Sequence, residues 1–133
     1  MFSILNFYKV KDEKRAVKIF VKIYRYHIQK DKEDEFLAIQ GKVSEIYGKY
    51  IRLHTTYLQS LTDETKWLEI TTYKDENDYN RVIQQINEEE ELQALFHAFQ
   101  SLLLDGKQEI SEENFIEKKS IHSFHTIEKA SDC

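Results

Sequence analysis

The chain has 133 residues, 41% of them hydrophobic and 13% aromatic, which suits one domain with a sizeable core. Its formal net charge of −5 argues against a nucleic-acid binder, because phosphate contacts need a surplus of lysine and arginine. One cysteine, no proline and three dispersed glycines argue against disulfides, thiolate metal sites and phosphate-cradling loops.

The sequence divides into three parts, which we interpret as an N-terminal extension (1–16), one folded domain (17–121) and a polar tail (122–133). Asp12 and Glu13 dilute the basic residues from Lys9 to Lys22, so this group is interpreted as a solvated segment. No apolar run approaches the about 18 residues that a membrane-spanning helix needs. The N-terminus also lacks a basic leader with a small-residue cleavage site. These features predict a cytoplasmic protein.

The first predicted element is a strand over residues 17–28, rich in β-branched and aromatic side chains. Its two faces both carry apolar groups: Val17, Ile19, Val21 and Ile23 on one, and Phe20, Lys22, Tyr24 and Tyr26 on the other. A helix over residues 31–50 follows, with Asp31 as its expected cap and an apolar stripe at helical spacing.

The rest of the chain alternates between period-two and helical patterns. The predicted elements are a strand over 50–61, a hairpin turn at 62–65, a strand over 66–74, a helix over 75–87, a helix over 92–104 that Gly106 ends, and a strand over 108–121. The order is therefore strand, helix, strand, strand, helical segment and strand, which predicts a ferredoxin-like α+β fold. Such a fold has a four-stranded antiparallel sheet with both helices on one face.

The sheet face without helices should carry too much apolar area to stay in water. A second copy of the sheet is the simplest cover, so the sequence predicts a homodimer through the sheet face. Because both faces of the first strand carry apolar side chains, the pattern leaves open which face that is.

At the level of families, the chain resembles the dimeric α+β barrel superfamily and, within it, the antibiotic biosynthesis monooxygenase-like domains. The resemblance covers about residues 17–120 and is carried by IYRYHIQKDKEDEFLAIQGKV, WLEITTYKDENDY and LQALFHAF. It implies a cleft between sheet and helices for a small aromatic or lipophilic molecule, and in some members an oxygenation without cofactor. Such a reaction needs a base that forms a substrate carbanion and a dry pocket for oxygen.

The haem-degrading members of that family match poorly. Those members have an asparagine on the first strand, a tryptophan that closes the third strand and a histidine on the second long helix. The corresponding positions of this chain hold Tyr24, Tyr73 and Phe96, and His97 follows one residue later. Many members of the family also have a glutamate two residues before the aromatic residue that closes the strand. This chain has Thr71 at that position, and Glu69 lies two residues earlier on the same strand face. The resemblance therefore implies no cofactor, with haem as a disfavoured possibility.

One face of the predicted third strand holds Trp67, Glu69, Thr71 and Tyr73. These side chains could form the wall of a site for a planar ligand, with Glu69 accepting a proton or hydrogen bond. Tyr24 and Tyr26 on the neighbouring strand and Phe96 could join them. They could equally pack against the sheet of a partner subunit.

His54 and His97 are further candidate bases, because histidine titrates near neutral pH. The alternative for His54 is a sheet or dimer-interface histidine, and for His97 a position at the edge of the apolar stripe. His122 and His125 lie in the polar tail without a third ligand at obvious spacing, so no metal site is expected.

Three functional hypotheses remain open. The first is a monooxygenase-like homodimer that binds a small aromatic molecule, with Glu69, His54 and His97 as possible bases. The second is a non-enzymatic binding or stress-related dimeric module, and the third and weakest is a haem-binding protein that uses His97.

Overall fold

The computed structural model describes residues 18–124, so the predicted N-terminal extension (1–16) and His125 lie outside the described residues. Its elements are β1 (Phe20–His27), α1 (Glu33–Gly48), β2 (Leu53–Gln59), β3 (Lys66–Tyr73), α2 (Glu76–Asn87), α3 (Glu90–Gln100) and β4 (Ser111–Ile116). A short 3-10 turn at Lys30–Lys32 leads into α1. Among residues 18–124, no helix is both long and apolar enough to cross a membrane.

The four strands form one antiparallel sheet in the order β2-β3-β1-β4. The two central strands, β1 and β3, are adjacent although α1 and β2 separate them along the chain. This is the ferredoxin-like arrangement that the sequence predicts, and the helices cover one face of the sheet. The fold class is therefore confirmed.

Burial along β1 and β3 shows which sheet face the helices cover. Phe20, Lys22, Tyr24 and Tyr26 are buried in β1, as are Trp67, Glu69, Thr71 and Tyr73 in β3. We call this side the covered face. The opposite side, which carries Val21, Ile23, Leu68 and Ile70 as half-buried residues, is the uncovered face. Packing of the Trp67–Tyr73 column against a partner sheet, one of the two alternatives above, is therefore wrong.

The helical segment after β3 consists of two helices, as the sequence predicts. Asp75 caps α2, since its carboxylate accepts a hydrogen bond of 2.8 Å from the Asp78 backbone N–H. The chain leaves the helical conformation at Glu88 and Glu89 and starts again with α3. The cap predicted at Asp31 is wrong, because residues 30–32 form the 3-10 turn and α1 starts without a side-chain cap bond.

Two boundaries near the C-terminal end also differ from the prediction. Helix α3 ends at Gln100, and Gly106 lies in the following turn with a φ of 83°, which favours glycine. Strand β4 covers only Ser111–Ile116, so the expected apolar position Ile121 is outside the strand and exposed. Residues 101–104, which periodicity assigned to the helix, lie in the turn that follows α3.

Candidate functional site

The covered face is aromatic at its two ends and polar in its middle. Strand register places Phe20 beside Tyr73 at one end and Tyr26 beside Trp67 at the other. Between them, two rows of side chains cross all four strands: Asn114, Lys22, Thr71 and Thr55 in one, and Glu112, Tyr24, Glu69 and Tyr57 in the other. A polar band under helices is unusual, because buried polar groups cost free energy unless they are hydrogen-bonded.

The carboxylate of Glu69 lies at the centre of this band, and the residue is only 1% exposed. The Tyr26 hydroxyl donates a hydrogen bond of 2.6 Å to Glu69 Oε1. Burial raises the pKa of Tyr26 well above its usual value, and the neighbouring Glu69 charge raises it further. Tyr26 therefore stays a hydrogen-bond donor at all ordinary pH values.

Aromatic rings enclose this end of the band. Phe36 of α1 lies at their centre, with ring centroids 4.9 Å from Trp67, 5.7 Å from Tyr26 and 5.8 Å from Tyr57. The ring of Phe99 of α3 meets that of Tyr26 edge-on at 5.1 Å. Edge-to-face and tilted contacts at these distances are the arrangements that aromatic rings prefer.

Further polar contacts connect the band to α1 and across the strands. Tyr57 donates a hydrogen bond of 3.0 Å to Oε1 of Gln40, which is buried in α1. The hydroxyls of Thr55 and Thr71 are 2.9 Å apart on neighbouring strands. Burial and the Glu69 charge raise the pKa of Tyr57, so this phenol is also held in its neutral, donating form.

Lys22 is the second buried charge of the band, and the prediction that it belongs to a solvated segment is wrong. Its Nζ is 2.5 Å from Glu112 Oε2 and 2.6 Å from Asn114 Oδ1. The ammonium group also lies 4.9 Å from the centre of the Tyr79 ring. Burial lowers the pKa of Lys22 because it penalises the charged form, and the Glu112 carboxylate opposes that shift.

The structure brings together five of the predicted site residues. Tyr24, Trp67, Glu69, Thr71 and Tyr73 are all buried on the covered face. Phe96 is partly buried on α3, where its ring stacks on Phe99 at 6.3 Å.

The two histidines predicted as alternative bases are placed elsewhere. His54 is exposed on the uncovered face, opposite to Glu69, since its register partner is Thr72. His97 is exposed on α3. Neither shares the covered face with Glu69, and a catalytic role for either histidine stays a prediction. Within residues 18–124, no three His, Cys, Asp or Glu side chains are placed to hold a metal ion together.

The predicted aromatic wall includes Tyr26 with Tyr24, but the predicted site omits four residues of the polar band and its contacts: Gln40, Tyr57, Lys22 and Glu112. The period-two pattern places Lys22 on the same face as Tyr24 and Tyr26, and this signal was present in the sequence. Gln40 also had a signal, because it lies at helical spacing within the stripe of the predicted helix over 31–50. Glu112 has no such signal, because its burial depends on strand pairing far along the chain.

Comparisons with known proteins give a clear result for the fold. No family model matches the sequence, and no curated protein does. A variant of SnoaB, a cofactor-independent oxygenase from Streptomyces nogalater, superposes with a TM-score of 0.62 at 10% identity, covering 80% of this chain and 99% of that one. A candidate antibiotic biosynthesis monooxygenase from Caulobacter crescentus gives 0.60 at 11%, covering 77% and 92%.

A dimeric ferredoxin-like protein from an uncultured marine organism is similar as well, with a TM-score of 0.62, 12% identity and coverage of 80% and 94%. At such low identity these similarities show the fold alone. The chain therefore has the ferredoxin-like fold of antibiotic biosynthesis monooxygenase-like proteins, as its sequence predicts.

Proposed function

We propose that this protein is a monooxygenase-like homodimer in which each protomer binds a small aromatic molecule between sheet and helices. The observation that carries this proposal is the buried Glu69 carboxylate, hydrogen-bonded by Tyr26 and surrounded by aromatic rings. Ligand sites combine an apolar lining with a few polar groups that fix orientation, and this region has that composition. Similarity to SnoaB, described as a cofactor-independent oxygenase, supports the same assignment.

Glu69 is the group that we assign as proton acceptor. A carboxylate in a dry aromatic environment can take a proton from an activated C–H or O–H bond of a bound quinol. The resulting anion shares its charge between the phenolate oxygen and a ring carbon, and it can reduce molecular oxygen without a metal or an organic cofactor. The ring carbon forms a C–O bond with O2 to give a hydroperoxide, and cleavage of the O–O bond with loss of water leaves a quinone that carries one of the two oxygen atoms. Trp67 belongs to the wall of this site, Tyr73 closes the other end of the polar band, and Tyr26 holds the carboxylate in place.

The first test compares wild type with Glu69→Gln, using 1-naphthol for binding and 1,4-naphthohydroquinone for oxygen uptake. We expect both proteins to bind 1-naphthol, detected through the single tryptophan, Trp67. Oxygen uptake above the uncatalysed rate should fall by about a hundredfold or more in the variant, because general-base catalysis contributes about that much.

His54→Ala and His97→Ala are the matched controls, since both side chains are exposed and neither should change binding or oxygen uptake. Calorimetry measures binding in Trp67→Ala, which has no tryptophan, and in Glu69→Ala. Unchanged affinity for 1-naphthol in both variants would place the ligand elsewhere and refute the proposed site. A haem titration of wild type, read at the Soret band, tests the weakest alternative in the same samples.

A non-enzymatic module is the second candidate function. Phe36 favours it, because its ring already contacts Trp67, Tyr26 and Tyr57 at the position that an aromatic ligand would take. An aromatic ligand would have to displace this ring. If 1-naphthol binds neither wild type nor Phe36→Ala, the aromatic column serves only to stabilise the fold.

The uncovered face is proposed as the dimer interface. Its centre is formed by Val21, Ile23 and Ile70, which the helices leave uncovered, and Leu58 and Phe115 at its edges are exposed. The similar ferredoxin-like protein that is described as dimeric supports this assembly.

Ile70→Asp should convert the dimer to a monomer in sedimentation equilibrium, because it places a charge at the centre of this face. Leu61→Asp is the control, since Leu61 is fully exposed at the hairpin between β2 and β3 and lies outside the face. A wild-type protein that sediments as a monomer would contradict the assembly.

A further inference from the structure

Residues 117–124 follow β4 as an exposed segment, which we call the C-terminal arm. All eight are exposed, and none belongs to a helix or a strand. Ile121 is 77% exposed and Phe124 81%, so they are among the most exposed large apolar side chains of residues 18–124. Such side chains gain free energy when another surface covers them, and apolar exposure of this extent often marks a contact. The arm therefore indicates a partner surface.

The contacts of the arm are those of an extended chain. The Glu117 backbone N–H donates a hydrogen bond of 2.9 Å to the Ile19 carbonyl, which continues the pairing of β4 with β1 by one residue. Further along, the rings of His122 and Phe124 are 4.5 Å apart, because side chains two positions apart share one side of an extended chain. The arm therefore leaves the sheet at the end of β4 instead of folding back onto its own protomer.

A groove on the uncovered face has the size and composition to accept side chains of the arm. It has a volume of about 290 Å³ at the hairpin end, and its floor is formed by Leu58 and Leu68, which are direct neighbours on β2 and β3. Gln59 and Ser60 add polar groups at its edge. Because the groove lies on the face that we propose as the dimer interface, the occupant that fits this assembly is a second copy of the chain.

The arm and the groove lie at opposite ends of one protomer. Strand β4 ends opposite Phe20, whereas the groove is lined by Arg25 near the other end of β1. A two-fold axis that lies in the interface and runs across the strands brings the arm end of each sheet over the groove end of its partner. Neighbouring strands are about 4.8 Å apart and packed sheets about 10 Å, so β3 of the second copy is about 14 Å from the end of β4. Residues 116–121 span up to about 17 Å when extended, which is long enough for Ile121 to reach the groove.

We infer that the arm of each protomer lies in the groove of its partner, with Ile121 and Phe124 covering Leu58 and Leu68. In a symmetric dimer this contact forms twice, and each groove is completed by the other copy. The inference rests on the proposed dimer through the uncovered face, to which it adds an exchange of C-terminal arms.

The test detects the contact directly, in full-length protein in which Cys133→Ser removes the single cysteine. Leu58→Cys and Ile121→Cys are made separately in this protein, mixed and exposed to a mild oxidant. Two cysteines form a disulfide only when their Cα atoms lie within about 7 Å of each other. We therefore expect a covalent dimer that contains one chain of each variant, identified by its intact mass.

A second measurement uses Phe124→Asp. This change should raise the dissociation constant of the dimer by about tenfold or more, because it places a charge in an apolar contact that forms twice. Sedimentation equilibrium measures the constant for this variant and for wild type.

Lys42→Cys is the matched control for Leu58→Cys, because Lys42 is exposed on α1 and should form no mixed disulfide with Ile121→Cys. Three results would each overturn the exchange: no mixed disulfide in a protein that sediments as a dimer, a disulfide within one chain when Leu58→Cys and Ile121→Cys are combined, or a wild-type dissociation constant for Phe124→Asp. A wild-type protein that sediments as a monomer would instead overturn the proposed dimer, and the arm exchange with it. The two failures are therefore distinguishable.

Discussion

Two ion pairs between the same two strands show how much the environment of a single residue matters. Lys22–Glu112 lies on the covered face with both side chains 3% exposed, whereas Arg25–Glu113 lies on the uncovered face with 46% and 49% exposed. Burial strengthens the attraction between the charges and also removes their hydration. Removing one partner of each pair should therefore lower the free energy of unfolding by different amounts, although both pairs connect β1 to β4.

We expect Lys22→Met to lower the free energy of unfolding by about 3 kcal/mol or more, because it leaves the Glu112 carboxylate buried without its ammonium partner. Arg25→Gln should cost less than about 1 kcal/mol, since exposed pairs contribute little. Urea unfolding measures both values. The double variant Lys22→Met, Glu112→Gln should recover part of the loss, and equal losses in the two single variants would contradict the argument.

At the level of elements, periodicity identifies helices and strands, but hydrogen bonds decide where they begin. The helix α2 begins after Asp75, whose side chain accepts the Asp78 N–H. Asp31, like Asp75, is an aspartate that precedes an apolar stripe. The chain nevertheless forms a 3-10 turn at Asp31, and α1 starts after this turn. Sequence patterns do not separate these two aspartates, because a cap needs a particular backbone geometry.

Asp75→Ala should therefore destabilise the protein by about 1 kcal/mol, the usual cost of a lost N-cap. Asp31→Ala is its natural comparison and should cost less than about 0.5 kcal/mol, as exposed substitutions away from such features do. Thermal or urea unfolding of both variants checks this pair. A larger loss for Asp31→Ala would mean that the 3-10 turn, rather than α2, depends on its aspartate.

For the whole molecule, the concentration of buried phenols predicts how stability depends on pH. Burial raises the pKa values of Tyr24, Tyr26 and Tyr73 well above that of an exposed tyrosine. Above about pH 10 the unfolded chain releases these protons while the folded chain keeps them, so stability falls as pH rises. Lys22 has the opposite effect on stability. Because its pKa is lowered, the folded chain releases this proton at a lower pH than the unfolded chain does, and stability rises with pH. This effect ends when the unfolded lysine also titrates near 10.5.

Above about pH 10.5 we therefore expect each of these tyrosines to contribute a loss of about 1.4 kcal/mol per pH unit. Spectrophotometric titration at the tyrosinate band should show the buried phenols ionising together with the loss of circular dichroism. Tyr73→Phe removes one of these groups and should make the alkaline loss less steep. Independent ionisation of all eight tyrosines near pH 10 in the folded protein would contradict this expectation.

The sequence by itself determined the elements, their order and the fold class, since a period of two or of 3.6 residues is a local property. It also identified Trp67, Glu69, Thr71 and Tyr73 as one face of a strand, which burial confirms. The resemblance to antibiotic biosynthesis monooxygenase-like domains implied the same ferredoxin-like fold, which structural similarity confirms.

Only the tertiary structure decided which face of the sheet the helices cover, because both faces of β1 carry apolar side chains and only packing distinguishes them. It also decided that Lys22 is buried against Glu112, a residue far along the chain. His54 and His97 could be separated from Glu69 only in three dimensions. A local pattern determines where a side chain points relative to its neighbours, but contacts between distant segments determine what it meets there.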